Sequence, residues 1–178
     1  MGRAILITGG ARSGKSSYAE KLAKELGGSV LYIATSIPFD EEMKNRVKRH
    51  RESRPAGWDT YEGFKGLGPL IAGKGSEYNV ILLDCITLMI TNLLLEHQDM
   101  DYEETERKIK KEIEKLLMGV AKTKAVVIMV SNEIGSGIVP ENPLTRAFRD
   151  IAGRMNQHIA EQCGEVFLTV CGLPLKLK

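Results

Sequence analysis

The sequence has few cysteines, no long apolar run and no strong charge imbalance, and each absence excludes a class of protein. The three cysteines, Cys85, Cys163 and Cys171, form no Cys-x-x-Cys spacing. This argues against a zinc site or a disulfide framework, and we expect core thiols in a reducing cytosol. No apolar run is long enough to cross a bilayer, and we expect neither a signal peptide nor a membrane span. The net charge of +2 makes no case for nucleic acid or a membrane surface as a partner.

The remaining composition is typical of a globular enzyme domain. The 178 residues are 43% hydrophobic and 27% charged, which predicts one domain over residues 1–178 with a sizeable core. Apolar runs alternate with helical patterns from residues 4–8 to residues 166–171. We therefore predict an α/β fold with a mostly parallel central sheet and helices on both faces. The alternation in residues 173–178 predicts a C-terminal edge strand.

The strongest motif lies between the first apolar run and the first helical pattern. It reads Gly9, Gly10, Ala11, Arg12, Ser13, Gly14, Lys15 and Ser16, which fits the P-loop pattern G-x-x-x-x-G-K-[ST]. Strand, glycine loop and helix follow one another as that motif requires. The backbone N–H groups and the helix N-terminus would hold a phosphate, Lys15 would reach the outer phosphates, and Ser16 would ligate Mg²⁺. The alternative is a glycine-rich turn that ends in Lys-Ser by chance.

A second candidate is Asp84, which ends the apolar run of residues 80–83. An acid at the end of a buried strand is the Walker B pattern, and it would hold Mg²⁺ beside Ser16, directly or through water. Because many buried strands end in Asp, the alternative role for Asp84 is the N-cap of the helix predicted from Ile86.

A third candidate is His50, in the middle of a strongly basic helical run. Neutral imidazole can attack phosphorus and carry a covalent intermediate, and surrounding cations disfavour its protonation. Arginines also neutralise a transferring phosphoryl group. On this pattern alone, a catalytic histidine and a surface histidine in a charged helix both remain open. The cations in question are Arg46, Arg49, Arg51 and Arg54.

The loop of residues 132–142 follows another buried strand and therefore lies at the same sheet edge as the P-loop. Its glycines and polar groups suit a ligand lid, a subunit contact or a plain connector. It lacks the Asn-Lys-x-Asp guanine signature, and residues 84–87 lack the Asp-x-x-Gly switch. Both absences argue against a regulatory GTPase.

Taken together, these motifs resemble one family, the bifunctional adenosylcobinamide kinase / adenosylcobinamide-phosphate guanylyltransferase of cobalamin biosynthesis. The resemblance covers almost the whole chain. The residues that carry it are 9–16, 32–36, Arg49-His50, Arg54-Pro55-Ala56, Trp58, 84–87, 132–142 and 149–156.

The resemblance implies two reactions and a RecA-like P-loop fold. ATP or GTP would phosphorylate adenosylcobinamide. GTP would then pass GMP through a guanylylated His50 to the corrinoid phosphate, giving adenosylcobinamide-GDP and pyrophosphate. It also implies a homotrimer, with the corrinoid substrate and GTP or ATP as partners. We expect no nucleic-acid partner, no membrane span and, from the cysteine usage, a cytoplasmic location. Positions at which the family contacts the nucleotide correspond to residues 9–16, Ala34, Thr35, Ser36, Arg51, Glu52, Ser53, Arg54, Glu62 and Asp84.

Two positions depart from some family members. Arg49-His50 replaces a pair of histidines, which leaves His50 as the candidate nucleophile there. Asp84 replaces a glutamate, and the shorter side chain allows a metal contact through water. The alternative functions are a P-loop kinase of another small hydroxyl substrate and a nucleotide-binding regulatory module without catalysis.

Overall fold

A seven-stranded sheet forms the centre of the part of the chain that the structure describes. The computed structural model describes residues 3–37, 55–97 and 99–178. Within them the strand order is β3-β2-β4-β5-β1-β6-β7. All neighbouring strands pair in parallel except β6 and β7, which are antiparallel. The strands are β1 (Ala4–Gly9), β2 (Val30–Ala34), β3 (Asp59–Glu62), β4 (Val80–Asp84), β5 (Val126–Asn132), β6 (Glu165–Val170) and β7 (Leu173–Lys176). The mostly parallel sheet and the terminal edge strand are both confirmed.

Helices cover both faces of this sheet, as predicted. One apolar cluster joins α1 to side chains such as Ile5 and Ile7 of β1, while the other joins α2 to α5 to side chains such as Leu6. Alternate residues of each inner strand thus enter opposite cores, which is why these strands are apolar throughout. The helices described are α1 (Lys15–Leu26), α2 (Leu67–Lys74), α3 (Ile86–Glu96), α4 (Tyr102–Lys122) and α5 (Pro143–Gln162).

The register of the parallel strands determines where the polar strand ends lie. Ala34 pairs with Glu62 on one side and with Asp84 on the other. Asp84 of β4 pairs with Val130 of β5. Gly9 of β1 pairs with Asn132, which lies two residues beyond Val130 on β5. Because parallel strands end at one edge of the sheet, the P-loop, Glu62 and Asp84 all lie at this edge. Open α/β folds bind their ligands at the same edge.

Cys85 and Cys163 are buried, but Cys171 is exposed in the turn between β6 and β7, so the expectation of three core thiols is wrong for Cys171. The basic helical run predicted around His50 lies outside the described residues. Among the described helices, none combines the length and the apolar character that crossing a membrane requires.

The contact between α2 and α4 allows a test of the packing. A Cβ atom on Gly68 would lie 2.0 Å from the Lys115 carbonyl oxygen, whereas one on Gly73, in the same helix, would have no neighbour within 4 Å. We expect Gly68→Ala to lower the free energy of unfolding by about 3 kcal/mol because two backbones must separate. Gly73→Ala should raise it by about 0.5 kcal/mol. Urea denaturation measures both, and equal changes in the two variants would contradict this packing.

Candidate active site

The P-loop follows β1 and ends at the first turn of α1. Gly14 is the N-cap of α1 with φ 95°, a conformation that favours glycine. Ser13 N–H donates to Gly10 O over 3.2 Å, and the first helical bond runs from Tyr18 N–H to Gly14 O over 2.9 Å. This turn therefore leads directly through Gly14 into the first turn of α1.

The N-terminus of α1 has the features of an anion site. Among the described residues no side chain caps it, and its first turn contains no acid. Backbone N–H groups at such a terminus, with the positive end of the helix dipole, attract phosphate. Lys15 Nζ donates to Gly10 O over 3.0 Å, so its ammonium group lies back over the loop. The loop thus carries a positive charge beside its own N–H groups.

Asp84 ends β4, two strands away from β1, and a buried tyrosine orients it. Tyr32 Oη donates to Asp84 Oδ2 over 2.9 Å. Tyr32 is 2% exposed, and its ring stacks on Trp58 with centroids 6.5 Å apart. The hydrogen bond engages one carboxylate oxygen and leaves the other oxygen for a different partner.

Two hydrogen bonds join the backbone of Cys85, the residue after Asp84, to Thr35, the residue after β2. Thr35 Oγ1 donates to Cys85 O over 2.7 Å and accepts from Cys85 N–H over 2.9 Å. Cys85, and not Asp84, is the N-cap of α3, because its Sγ accepts from Leu88 N–H. The alternative of Asp84 as that cap is therefore wrong. Burial raises the pKa of the Cys85 thiol to about 12, so Cys85 is a neutral structural group.

The donors at this edge fit Mg²⁺. Asp84 supplies a half-buried carboxylate and Ser16 a half-buried hydroxyl at the start of α1. Mg²⁺ in phosphate sites takes one or two protein oxygens and completes its octahedron with phosphate oxygens and water. Among the described residues no group of three or more His, Cys, Asp or Glu side chains could hold a metal.

A closed ring of hydrogen bonds holds the end of β5. Asn132 N–H donates to Thr87 Oγ1 over 2.6 Å, and Thr87 and Ser131 hydroxyls lie 3.2 Å apart. Ser131 Oγ donates to Asn156 Oδ1 over 2.6 Å, and Asn156 Nδ2 returns to Asn132 O over 3.0 Å. Because the Ser131 hydrogen goes to Asn156, Thr87 is the donor to Ser131. The ring secures the backbone N–H and the backbone carbonyl of Asn132 against α3 and α5.

The loop of residues 132–142 starts from this ring and contacts the P-loop strand. Glu133 N–H donates to Gly9 O over 2.9 Å. The Glu133 carboxylate accepts from Gly135 N–H over 2.8 Å and from Ser136 N–H over 3.3 Å. Burial acts to raise the pKa of Glu133, but the hydrogen bonds from Ser136 and Gly135 outweigh it and the pKa is lowered. An ionised Glu133 therefore shapes the start of the loop.

Several predicted site residues meet at this edge and others lie outside the described part. Ala34 is buried at the end of β2, Ser36 is half-exposed just beyond it, and Glu62 is exposed at the end of β3. The described histidines, His97 and His158, are half-buried, and His97 is the C-cap of α3. The predicted residues outside the described ranges are His50, Arg51, Glu52, Ser53 and Arg54.

Sequence reasoning did not assign roles to Tyr32, Thr87 or Asn156. Tyr32 lies two residues before Ala34, which pairs with Asp84, so it is on the same face of the sheet as Asp84, but the sequence does not specify this register. Nor did a signal exist for Asn156, whose partner Ser131 is 25 residues away on an element whose packing the sequence does not specify.

Comparisons with known proteins identify the fold and the family. A family model described as cobinamide kinase / cobinamide phosphate guanyltransferase matches residues 5–177. The bifunctional adenosylcobalamin biosynthesis protein CobU of Escherichia coli is 46% identical over 98% of this chain and 99% of its own length. That of Salmonella typhimurium is 47% identical over the same shares. The crystal structure of the RadB recombinase superposes with a TM-score of 0.52 at 16% identity, covering 93% of this chain and 73% of its own. RadB supports the RecA-like P-loop fold, and the full-length matches show that the chain belongs to the cobinamide kinase / cobinamide phosphate guanyltransferase family.

Proposed function

We propose that this chain catalyses two steps of nucleotide-loop assembly in cobalamin biosynthesis at one nucleotide site. In the first, ATP or GTP phosphorylates the aminopropanol hydroxyl of adenosylcobinamide. In the second, GTP transfers GMP to that phosphate and releases pyrophosphate, giving adenosylcobinamide-GDP. The single observation that carries the proposal is the P-loop, shaped for phosphate at the end of β1, within a chain that matches the family over residues 5–177.

The P-loop residues would hold the triphosphate for both steps. The N–H groups of residues 9–16 would surround its oxygens, and Lys15 would balance charge on the phosphates. Ser16 and Asp84 would hold Mg²⁺, which neutralises charge that develops on the phosphates during transfer. Ala34, Ser36 and Glu62 would line the nucleotide side of the edge. Thr35, whose hydroxyl is bonded to Cys85, would contribute mainly by positioning Asp84.

His50 would carry the second step. Its neutral imidazole nitrogen attacks the α-phosphorus of GTP, an N–P bond forms, and the bond to the pyrophosphate oxygen breaks. A phosphate oxygen of the corrinoid then attacks the same phosphorus, and the N–P bond breaks. Nearby residues of the basic segment, Arg51, Glu52, Ser53 and Arg54, would contact the nucleotide.

The remaining parts of the proposal concern assembly and location. We infer a homotrimer, since the resemblance implies one. We also infer a cytoplasmic location because the reactions consume nucleoside triphosphates. Size-exclusion chromatography with light scattering would test the first, and a monomer under assay conditions would contradict it.

A labelling experiment tests the central proposal. The protein is incubated with GTP labelled on the α-phosphorus and with Mg²⁺, and is then denatured. An acid-labile, alkali-stable label on the protein, discharged by adenosylcobinamide phosphate, is the expected result. A kinase of another hydroxyl substrate would retain no GMP, and a regulatory module would show neither label nor corrinoid turnover. Either outcome would overturn the proposal.

The hydrogen bond from Tyr32 to Asp84 leads to a prediction about Mg²⁺. Tyr32→Phe keeps the buried ring but frees the carboxylate to rotate, so we expect the half-saturating Mg²⁺ concentration to rise about fivefold, the value of one hydrogen bond. The matched control is Tyr78→Phe, because Tyr78 Oη donates to Asp59 Oδ2 over 2.8 Å at the opposite edge. An equal shift in both variants would mean that the bond at Asp84 has no special role.

A further inference from the structure

The end of β6 and the turn into β7 lie directly against the P-loop. We call residues 169–172 the β6–β7 segment. Thr169 Oγ1 lies 2.9 Å from Ser13 Oγ and donates to Thr8 O over 3.1 Å. Because the Thr169 hydrogen goes to Thr8, the Ser13 hydroxyl is the donor to Thr169. Gly172 N–H donates to Ser13 O over 2.8 Å, so the segment holds both the side chain and the backbone of Ser13.

The packing between this segment and the loop leaves no room for a methyl group. A Cβ atom on Gly9 would lie 2.5 Å from both Ser13 Oγ and Thr169 Oγ1, and one on Gly14 would lie 2.8 Å from Gly172 Cα. Both distances are shorter than real Cβ contacts. Two glycines of the P-loop motif are therefore required by the β6–β7 segment, in addition to any requirement that a bound phosphate imposes.

The segment itself has a well-defined position. Cys171 and Gly172 have φ values of 51° and 80°, as in the two-residue turns that join antiparallel strands. Val170 pairs with Leu173 across this turn. Thr169 is 1% exposed, so water does not compete for its hydroxyl. A hairpin joined to the central sheet thus supports the outer side of the loop.

The P-loop needs such support because part of its backbone is unfavourable. Arg12 adopts φ 57°, a left-handed conformation that non-glycine residues rarely adopt. Its neighbour Ser13 is the residue to which the β6–β7 segment is bonded. A loop already held in its binding shape loses less conformational entropy when a ligand arrives, which strengthens binding.

We propose that Thr169 and Gly172 are positioning residues of the nucleotide site, which act through Ser13 to keep the P-loop in its phosphate-binding shape before nucleotide binds. This inference rests on the proposed function, since it assumes that the loop binds the triphosphate. The inference gives the β6–β7 hairpin a role in both reactions, because both reactions would use the P-loop.

The test compares Thr169→Val with wild type in the binding of two probes by calorimetry. The probes are inorganic tripolyphosphate and a GTP analogue with a methylene bridge between the α- and β-phosphorus, which blocks GMP transfer. Valine has the shape of threonine without its hydroxyl, so the bonds to Ser13 and to Thr8 O are both lost. We expect both dissociation constants to rise about five- to tenfold, the value of the one bond that holds Ser13. An equal loss for both probes places the effect at the phosphates and not at the base. Thr169→Ser, which keeps the hydroxyl, should bind both probes with dissociation constants close to those of wild type.

A matched control separates positioning from stability. Thr123 is 4% exposed, and its Oγ1 accepts from Ala125 N–H over 3.1 Å at the opposite edge of the sheet. Thr123→Val should lower the melting temperature and leave both dissociation constants unchanged. If Thr169→Val lowers the melting temperature without weakening tripolyphosphate binding, the role is structural only and the inference is overturned.

Removing the other partner of the bond completes the test without altering β6. Ser13→Ala should weaken binding of both probes. Adding Thr169→Val to it should cause little further loss, since the bond between the two side chains is already absent and the remaining bond of Thr169 goes to Thr8 O in β1. Fully additive losses would contradict action through Ser13. If wild type binds neither probe, the proposed function itself fails. If wild type binds both and Thr169→Val binds equally well, only this inference fails.

Discussion

Lys15→Ala is expected to lower both the kinase and the GMP-transfer rates by on the order of 10³-fold. Lys15 Nζ lies 3.0 Å from Gly10 O, which puts its charge at the mouth of the loop where the outer phosphates would bind. Charge develops on those phosphates in both reactions, and a fixed ammonium group stabilises it more than water does. Alanine removes that charge and leaves the loop backbone in place. Initial rates with labelled ATP and GTP measure the two activities separately.

The matched control for this variant is Lys24→Ala. Lys24 is an exposed lysine in the last turn of α1, so the substitution removes a charge from the same helix far from its N-terminus. Both rates should stay within about twofold of wild type, because an isolated exposed charge contributes little. Full kinase activity in Lys15→Ala would contradict a single nucleotide site. Loss of one activity alone would mean that the two reactions use different phosphate sites.

Local sequence patterns predicted the elements and the P-loop because these depend on neighbouring residues. The run of residues 80–84, for example, identifies β4 and its terminal acid without any knowledge of the sheet. The end of α1 at Gly27, whose φ of 70° favours glycine, is similarly local. The prediction that Asp84 and the P-loop lie at the same edge of the sheet followed from one rule, that the carboxyl ends of parallel strands meet at one edge.

Contacts between distant residues could not be predicted in this way. Thr169 and Ser13 are 156 positions apart, and their contact depends on β6 lying beside β1, a strand order that periodicity does not determine. The hydrogen bond from Tyr32 to Asp84 depends on the register between β2 and β4, which places them two rows apart on one face. Cys171 was misjudged for a related reason, because the turn that leads into the edge strand β7 is exposed even though its sequence is largely apolar. Side-chain pattern indicates which face a residue occupies, but not its neighbour on that face.

His50→Ala is expected to abolish GMP transfer while sparing phosphorylation. The two reactions differ in the bond that breaks: the kinase step moves the γ-phosphoryl group directly, whereas the proposed second step needs a nitrogen nucleophile at the α-phosphorus. Removing that nucleophile should reduce the rate of adenosylcobinamide-GDP formation by at least about 10³-fold. Kinase activity should fall by no more than about tenfold, since the P-loop and Asp84 are unchanged.

The measurement combines the protein-bound label from α-labelled GTP with the two product rates. His158→Ala is the matched control, because His158 is a half-buried histidine on α5 whose Nδ1 lies 4.0 Å from Glu161 Oε2. That variant should keep both the label and the product. A normal rate of adenosylcobinamide-GDP formation in His50→Ala would show that the corrinoid phosphate attacks GTP directly. Since a direct attack and a double displacement invert the α-phosphorus once and twice, the stereochemistry at that phosphorus gives an independent answer. We expect net retention in wild type.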